Sequence, residues 1–462
     1  MKKQRTTQHA GHGAALRLTW VGGILLSYCL AAWPLDLLQA YEAAQRNDPA
    51  IKTSRANAEA GRERLPQALS QLLPSVSLSA TRNKNELDRN NIATGADLPL
   101  QTYLSGTANF SARQPLYRPA LIAGYRQAAA QVDDVNASLQ RDEQNLAVRL
   151  VGAYLDAVAT GDQLALVVAQ RVFYTAQLDS ARKSFLGGAG TRTDVDEVLA
   201  RLDLIKAHEL EAQQNVGFAR RQLQVLVGEP VAQLAELNPA RLVLSLPDPD
   251  SAEHWIERAT QNSPEMRMLK ARLEAAEQAI KKAQAGHYPT LDGVVQWSYG
   301  DQENINLLNS RSKTTSVGLQ LSVPLYAGGY VSSTVRQALA ERAGIEQQLE
   351  SVRLDLGVRV HKEYRGITEG ILKVRALEQA VRSADQLVLS NQKSFAAGSR
   401  TVVDILNAEQ QRTVALRDLA QERYVYLMSR IKLLALVDAV SPQAMAELNA
   451  PFANSQPGSS IN

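Results

Sequence analysis

Charged residues stand beside a glycine turn at two places in this chain, and little else in it is arranged for chemistry. Arg400 and Asp404 are four residues apart, the spacing of neighbours on one helix face, just after Ser394-Phe395-Ala396-Ala397-Gly398. An earlier copy matches Ser184, Phe185, Gly188 and Asp194 to Ser394, Phe395, Gly398 and Asp404 at a constant offset of 210, with Thr193 beside Asp194. Gly188 and Gly398 suit a reversal that needs φ > 0. Gly190 fits such a turn too, so Asp196 replaces Asp194 if the register slips by two. On pattern alone, Arg400–Asp404 reads as an exposed intrahelical ion pair of small energetic weight, and it is the position at the tip that favours a gate.

Material for catalysis is poorer still. Of six histidines only His9 and His12 are close, so no metal-spaced pair stands in the body of the chain. No G-x-S-x-G, P-loop or H-E-x-x-H occurs, and Gly188-x-Gly190 lacks a third glycine and a preceding strand. These residues argue against an enzyme and against any bound cofactor or metal.

The charged turns need elements to hold them. Helical patterns run over about 121–185 and 332–395, and at 1.5 Å per residue some 65 residues make a rod of about 100 Å. Each glycine turn reverses the chain into a returning helix that ends near Val227 or Leu436. Ahead of each rod lies a first helix, about Leu37–Leu72 and Ala252–Ala285, which ends before Pro74 or Pro289. Two short alternating segments follow in each half. Gly106, Ala108, Phe110 and Ala112 oppose Ser105, Thr107, Asn109 and Ser111; Leu291, Val295, Trp297 and Tyr299 oppose Thr290, Asp292, Gln296 and Ser298. Ser75–Thr81 and Ser316–Val323 alternate likewise. Period two means strands. Polar loops are expected at about 83–101 and 301–313, with Pro115 and Pro324 stopping the sheet. Asn47-Asp48-Pro49 matches Asn262-Ser263-Pro264, and Pro115-Leu116-Tyr117 matches Pro324-Leu325-Tyr326, so the chain reads as an internal duplication. The expected division is a signal over 1–32, a first repeat over 33–250, a second over 251–440 and a disordered tail over 441–462.

With 5% aromatic and 21% charged residues, the composition favours long polar-faced helices over a thick core. Lys2, Lys3, Arg5 and Arg17, the apolar run to Leu30 and the small pair Ala31-Ala32 read as a secretory signal. Its loss would take the net charge from +3 to −1, so nucleic acid is not an implied partner. The one cysteine, Cys29, lies within it and is preceded by Tyr28, which does not suit lipid attachment. No other run is long and apolar enough for a spanning helix. Four strands with one apolar face cannot pair their own edges in lipid. Two chains would supply eight strands and three would supply twelve with a polar lumen. Tyr103, Trp297, Tyr299, Tyr117 and Tyr326 are then expected near the membrane interfaces. The same alternation also fits a soluble two-faced sheet.

At the tips the chain resembles the TolC family of outer-membrane channel-tunnels. Gly398-Ser399-Arg400-Thr401-Val402-Val403-Asp404-Ile405-Leu406-Asn407-Ala408 is similar to that family's second-repeat tip motif, and Gly188–Asp194 to a first-repeat tip found in members serving type I secretion. Leu35–Tyr41 with Asn47-Asp48-Pro49 resembles the usual start, and Arg423-Tyr424-Val425-Tyr426 the usual close. The resemblance covers about residues 35–440. It implies a mainly α homotrimer whose four strands per protomer close a 12-stranded β-barrel in the outer membrane, above a long periplasmic α-helical barrel. It implies a periplasmic adaptor protein and an inner-membrane transporter of ABC type as partners, with outer-membrane lipid around the barrel. It places a gate link between Arg400 and the Thr193/Asp194 pair, with Asp404 as the constriction ring. Phe395 stands where the family can carry a Tyr, and Asn407 where a second acidic ring can occur, so a single carboxylate ring is expected here. The implied function is a passive exit duct for type I protein secretion. The alternatives are the same duct serving multidrug efflux and a soluble periplasmic coiled-coil adaptor or scaffold.

Overall fold

A computed structural model describes residues 34–303 and 309–452. The signal expected over 1–32, the centre of the second polar loop and the end of the tail lie outside the described residues. Two rods dominate the rest. Helix α4 (Pro119–Leu186) has 68 residues and α8 (Tyr330–Ala396) has 67, about 100 Å each at 1.5 Å per residue. The returning helices α5 (Arg192–Val227) and α9 (Val402–Leu436) are about half as long. They pack only on the tipward halves of the rods, so α4–α5 and α8–α9 are two hairpins side by side.

The other halves of the rods are covered by the segments read as single first helices, which are in fact broken. The first is α1 (Leu37–Asn47), α2 (Pro49–Arg62) and α3 (Arg64–Ser70); the second is α6 (Ala252–Asn262) and α7 (Pro264–Gln284). Proline disfavours helical backbone at the residue before it and has no N–H to donate, so Asp48-Pro49 and Ser263-Pro264 each end one helix and start another. Arg149 Nη2 donates to buried Asp48 at 2.7 Å and Arg359 Nη2 to Glu265 at 2.7 Å, so one arginine per rod holds each break.

Midway along the rods the short elements gather into the main core. Tyr154, halfway along α4, is fully buried; its hydroxyl donates to the Leu35 and Ala235 carbonyls, and its ring meets Phe452 edge-on at 5.3 Å. Phe452 belongs to the tail expected to be disordered. That tail instead opens with α10 (Pro442–Asn449), which buries Met445 and Leu448, while Asn449 Oδ1 accepts from the Leu37 and Leu38 N–H groups. The apolar anchors outweigh the polar composition that suggested disorder. By length and composition α4 is apolar enough to cross a membrane. Its apolar residues, Leu146, Leu150, Val151 and Leu155 among them, pack into this core instead.

The strands form one antiparallel sheet in the order β1 (Ser75–Asn91), β2 (Ala96–Tyr117), β3 (Thr290–Gln302), β4 (Ser310–Ser322). The expected loop over 83–101 is largely strand, and β2 continues past Pro115 by a bulge to Tyr117. The pairing register puts Val76, Ala112, Val295 and Val317 in one row and Leu78, Phe110, Trp297 and Thr315 two residues on, on the same face. The opposite face carries rows such as Ser77, Ser111, Gln296 and Ser316. Cross-strand hydroxyl pairs there, Ser77–Ser111 at 2.7 Å and Thr81–Thr107 at 2.8 Å, satisfy one another. Tyr103 falls on this polar face, opposite Asn85, so it does not join Trp297 and Tyr299. The sheet joins the rods through Arg118, which grips buried Asp292 of β3 with Nε at 2.7 Å and with Nη2. Among the described residues, the outer edges of β1 and β4 pair with no other strand.

Candidate gate at the hairpin tips

The two tips are built alike. Gly188 (φ +74°) and Gly398 (φ +77°) take the left-handed conformation that ends α4 and α8. Their N–H groups bond the Phe185 and Phe395 carbonyls, and the next residue bonds the Ser184 or Ser394 carbonyl. The 210-residue register therefore holds at the turn itself. Gly190 has no positive φ; a Cβ there would come within 3.1 Å of the Phe185 nitrogen, so it serves close approach instead.

Two residues beyond Gly398 sits Arg400, outside the helix that follows. Thr401 is the N-cap of α9, and Asp404 completes a capping box: Thr401 N–H and Oγ1 both donate to Asp404 Oδ2 at 2.9 Å, and Asp404 N–H returns to Thr401 Oγ1 at 3.3 Å. Thr191 and Asp194 form the same box on α5, with the hydroxyl-to-carboxylate bond at 2.6 Å. Arg400 Nη1 lies 3.5 Å from Asp404 Oδ1. The pair thus reaches across a helix start, where the sequence alone had placed it on a helix face. The Thr401 bonds, then the Arg400 charge, hold the Asp404 carboxyl below the usual aspartate range. Among the described residues of one chain, nothing joins Arg400 to Thr193 or Asp194, because each carboxylate is engaged on its own helix. Asp196 pairs with Arg192 at 3.2 Å instead, and Thr193 is an exposed residue of the first turn.

Behind the tips the hairpins are fastened together. Val402 and Leu406 of α9 insert among Val167, Tyr174, Val198 and Leu202 of the first hairpin. Arg201 of α5 donates to Asn407 Oδ1 at 3.0 Å and to Gln410 Oε1 at 3.3 Å, so Asn407 is a link between hairpins as well as a tip residue. Asn391 Nδ2 of α8 bonds the Asp404 carbonyl at 3.0 Å, tying α9 to its own rod. Phe395 is partly exposed in the last turn of α8. Further back, Glu409 is buried, which pushes its carboxyl up, against the pull of Arg412 3.2 Å away. Arg412 also reaches Asp385 of α8 at 2.6 Å.

Reading the sequence missed Thr191, Thr401, Arg201 and Asn391. The first two were visible as Thr-x-x-Asp placed twice after a glycine turn; the others depend on helix packing and leave no local pattern. Among the described residues no His/Cys/Asp/Glu group is placed to hold a metal ion. What this arrangement offers is fixed carboxylates at the ends of long levers. Repeated around an axis, such a residue makes a ring of like charge in a narrow opening, which favours cations.

Comparison with known proteins gives a consistent picture. The pattern describing outer membrane efflux proteins matches residues 40–229 and 255–438, one block in each half. The chain is 33% identical over 420 residues to the alkaline protease secretion protein AprF of Pseudomonas aeruginosa, covering 90% of this chain and 87% of that one. It is 30% identical over 431 residues to the outer membrane protein TolC of Escherichia coli K12, covering 90% and 84%. The crystal structure of the outer membrane protein VceC from Vibrio cholerae superposes with a TM-score of 0.73 at 18% identity, over 88% of this chain and 99% of that one.

Proposed function

The chain belongs to the outer membrane efflux protein family, and on that footing we propose that three copies form the exit duct of a tripartite type I protein-secretion system. It resides in the outer membrane with its helices in the periplasm, and it conducts without catalysing a reaction. The observation that carries the reading is the four-stranded sheet itself: one face apolar, the other lined with hydroxyls, both edges open, and about 100 Å of helical hairpin below it by helix rise. In lipid such edges must be paired. Three copies supply twelve strands, enough for a wall around a polar lumen.

In this assembly the tips of six hairpins narrow the periplasmic end. Asp404 forms a ring of three carboxylates, with Asn407 behind it adding no second charge. Arg400 meets the Thr193/Asp194 first turn of a neighbouring copy in the resting state. A periplasmic adaptor protein and an ABC-type transporter of the inner membrane open the tips. Protein is the cargo favoured by the similarity to a protease secretion protein over nearly the full chain.

Deletion of the gene tests cargo directly. A secreted protein disappears from the culture medium and returns on complementation, while drug sensitivity is unchanged. Unchanged secretion with a fall in drug resistance would instead make this an efflux duct.

A further inference from the structure

On the apolar face of the sheet one row is unlike those below it. Arg82 of β1, Gly106 of β2, Asp301 of β3 and Arg311 of β4 are aligned across all four strands. Arg82 Nη1 lies 3.2 Å from Asp301 Oδ2, which requires its side chain to cross β2. Gly106 makes that crossing possible, since a Cβ there would meet Arg82 Nη1 at 3.1 Å and Cδ at 3.3 Å. From the other side Arg311 Nε approaches Asp301 Oδ1 at 3.4 Å. A single carboxylate thus aligns two guanidiniums and leaves the row with net charge +1.

The two arginines stay accessible: their side chains are 57% and 77% exposed, against 25% for Asp301. A guanidinium has five N–H donors in a planar fork, so one contact to Asp301 leaves most of each fork available. Lys313 lies one row toward the membrane, beside Tyr299, and Lys84 one row beyond. The row is two residues past Tyr299 and four past Trp297 on β3, at the end of the sheet away from the helices. Aromatic residues mark the height where apolar chains give way to headgroups. Charges just beyond them, on the side turned to lipid, face headgroups rather than the lumen.

We propose that the Arg82–Asp301–Arg311 row, flanked by Lys84 and Lys313, binds phosphate headgroups of the outer leaflet and fastens the duct to that leaflet. The inference rests on the barrel reading given above. Paired planar guanidiniums match phosphate oxygens in geometry as well as charge. The row also begins and ends on the open edges of the sheet, so closure by neighbouring copies lines Arg82 and Lys84 of one along the seam with Arg311 and Lys313 of the next. Asp301 weakens the attraction for a free anion. A lipid adds acyl-chain contact with the apolar rows below, which an inorganic ion cannot.

The experiment uses full-length protein purified in detergent as the assembled oligomer. It is mixed with lipid A bearing both phosphates, with its dephosphorylated form, or with inorganic phosphate. Native mass spectrometry counts retained lipid, and a thermal scan reports stabilisation. Lipid A is retained and raises the midpoint, whereas the dephosphorylated lipid and inorganic phosphate do neither. Arg82→Gln with Arg311→Gln lowers retention about tenfold, the loss of two charge-assisted contacts, with the trimer and its conductance intact. Arg311→Gln alone gives an intermediate loss. Equal retention of both lipids, equal stabilisation by inorganic phosphate, or full retention by the double variant would overturn the proposal. A chain that neither trimerises nor conducts fails the duct reading instead, which is a separate outcome.

Discussion

Asp404 does two jobs with one carboxyl group. It closes the capping box that starts α9, and in the proposed trimer it supplies the charge of the constriction ring. The two are coupled through its proton. Because the Thr401 bonds and Arg400 hold its pKa below the usual 3.8, the capping contribution is complete above the unfolded-state value and is lost only as pH falls through the depressed one. In the ring the three carboxylates repel one another, which raises their apparent pKa values against that pull. Block by multivalent cations in planar bilayers therefore weakens over a broad acid range as the ring takes up protons. Thr401→Ala removes the hydroxyl donor and moves the pH midpoint of block upward, and hydrogen exchange at the first turn of α9 quickens about fivefold as the cap is lost. An unmoved midpoint would separate the ring from the cap. Both Thr-x-x-Asp boxes stand in the sequence, yet there Asp404 reads as the ring and Asp194 as part of the gate link, with neither read as a cap. Charge at a tip draws the eye to a pore, whereas the cap is the local use that either tip would need in any case.

At the scale of elements, what matters is how firmly α9 is held against the first hairpin. Leu406 is fully buried in the cluster behind the tip, and Arg201 forks onto Asn407 and Gln410. Leu406→Ala should cost about 2–5 kcal/mol locally. Arg201→Ser removes both side-chain bonds to α9, and either change raises resting conductance in bilayers. A stability loss with no change in current would make the fastening structural only. Further up, the Tyr424 hydroxyl donates to Asp162, whose carboxyl burial pushes above its usual range despite that bond. A raised carboxyl pKa favours the protonated form in the fold, so ionising Asp162 costs stability as pH rises through the raised value. The tyrosine bond offsets part of that cost. Tyr424→Phe consequently lowers the melting temperature more at pH 8 than at pH 4, and a pH-independent loss would contradict this.

The elements themselves were unevenly legible. Both rods and both returning helices could be read to within a residue or two, because apolar periodicity runs unbroken through each. The sheet was read short where β1 passes Thr81 into Arg82-Asn83-Lys84-Asn85-Glu86. Beyond the apolar band both faces are polar, so period two vanishes while backbone pairing continues. Helix α10 is eight residues long, too short to announce itself, and it is held by Asn449 and Phe452 from contacts some 300 to 400 residues away in sequence.

For the molecule as a whole, the sheet is the part least able to stand alone. The hairpins bury apolar clusters at mid-rod and behind the tips within one chain, while Leu204, Phe218, Val358 and Leu372 stay exposed along the helices. The sheet keeps Val317, Leu319 and Leu321 exposed and, among the described residues, leaves two edges unpaired. Closure by three copies answers both needs at once, with lipid against the apolar face and each β4 against the next β1.

Cysteine cross-linking in intact membranes tests that closure most directly. In a Cys29→Ser background, one cysteine replaces Ser79 on β1. A second replaces Thr314 on β4, stepped by two residues in companion variants so that every seam register on the same face is sampled. Oxidation should give, in at least one variant, a ladder of one, two and three chains with nothing heavier. No cross-link from membranes, a ladder that stops at two, or one that runs past three would contradict the twelve-stranded duct.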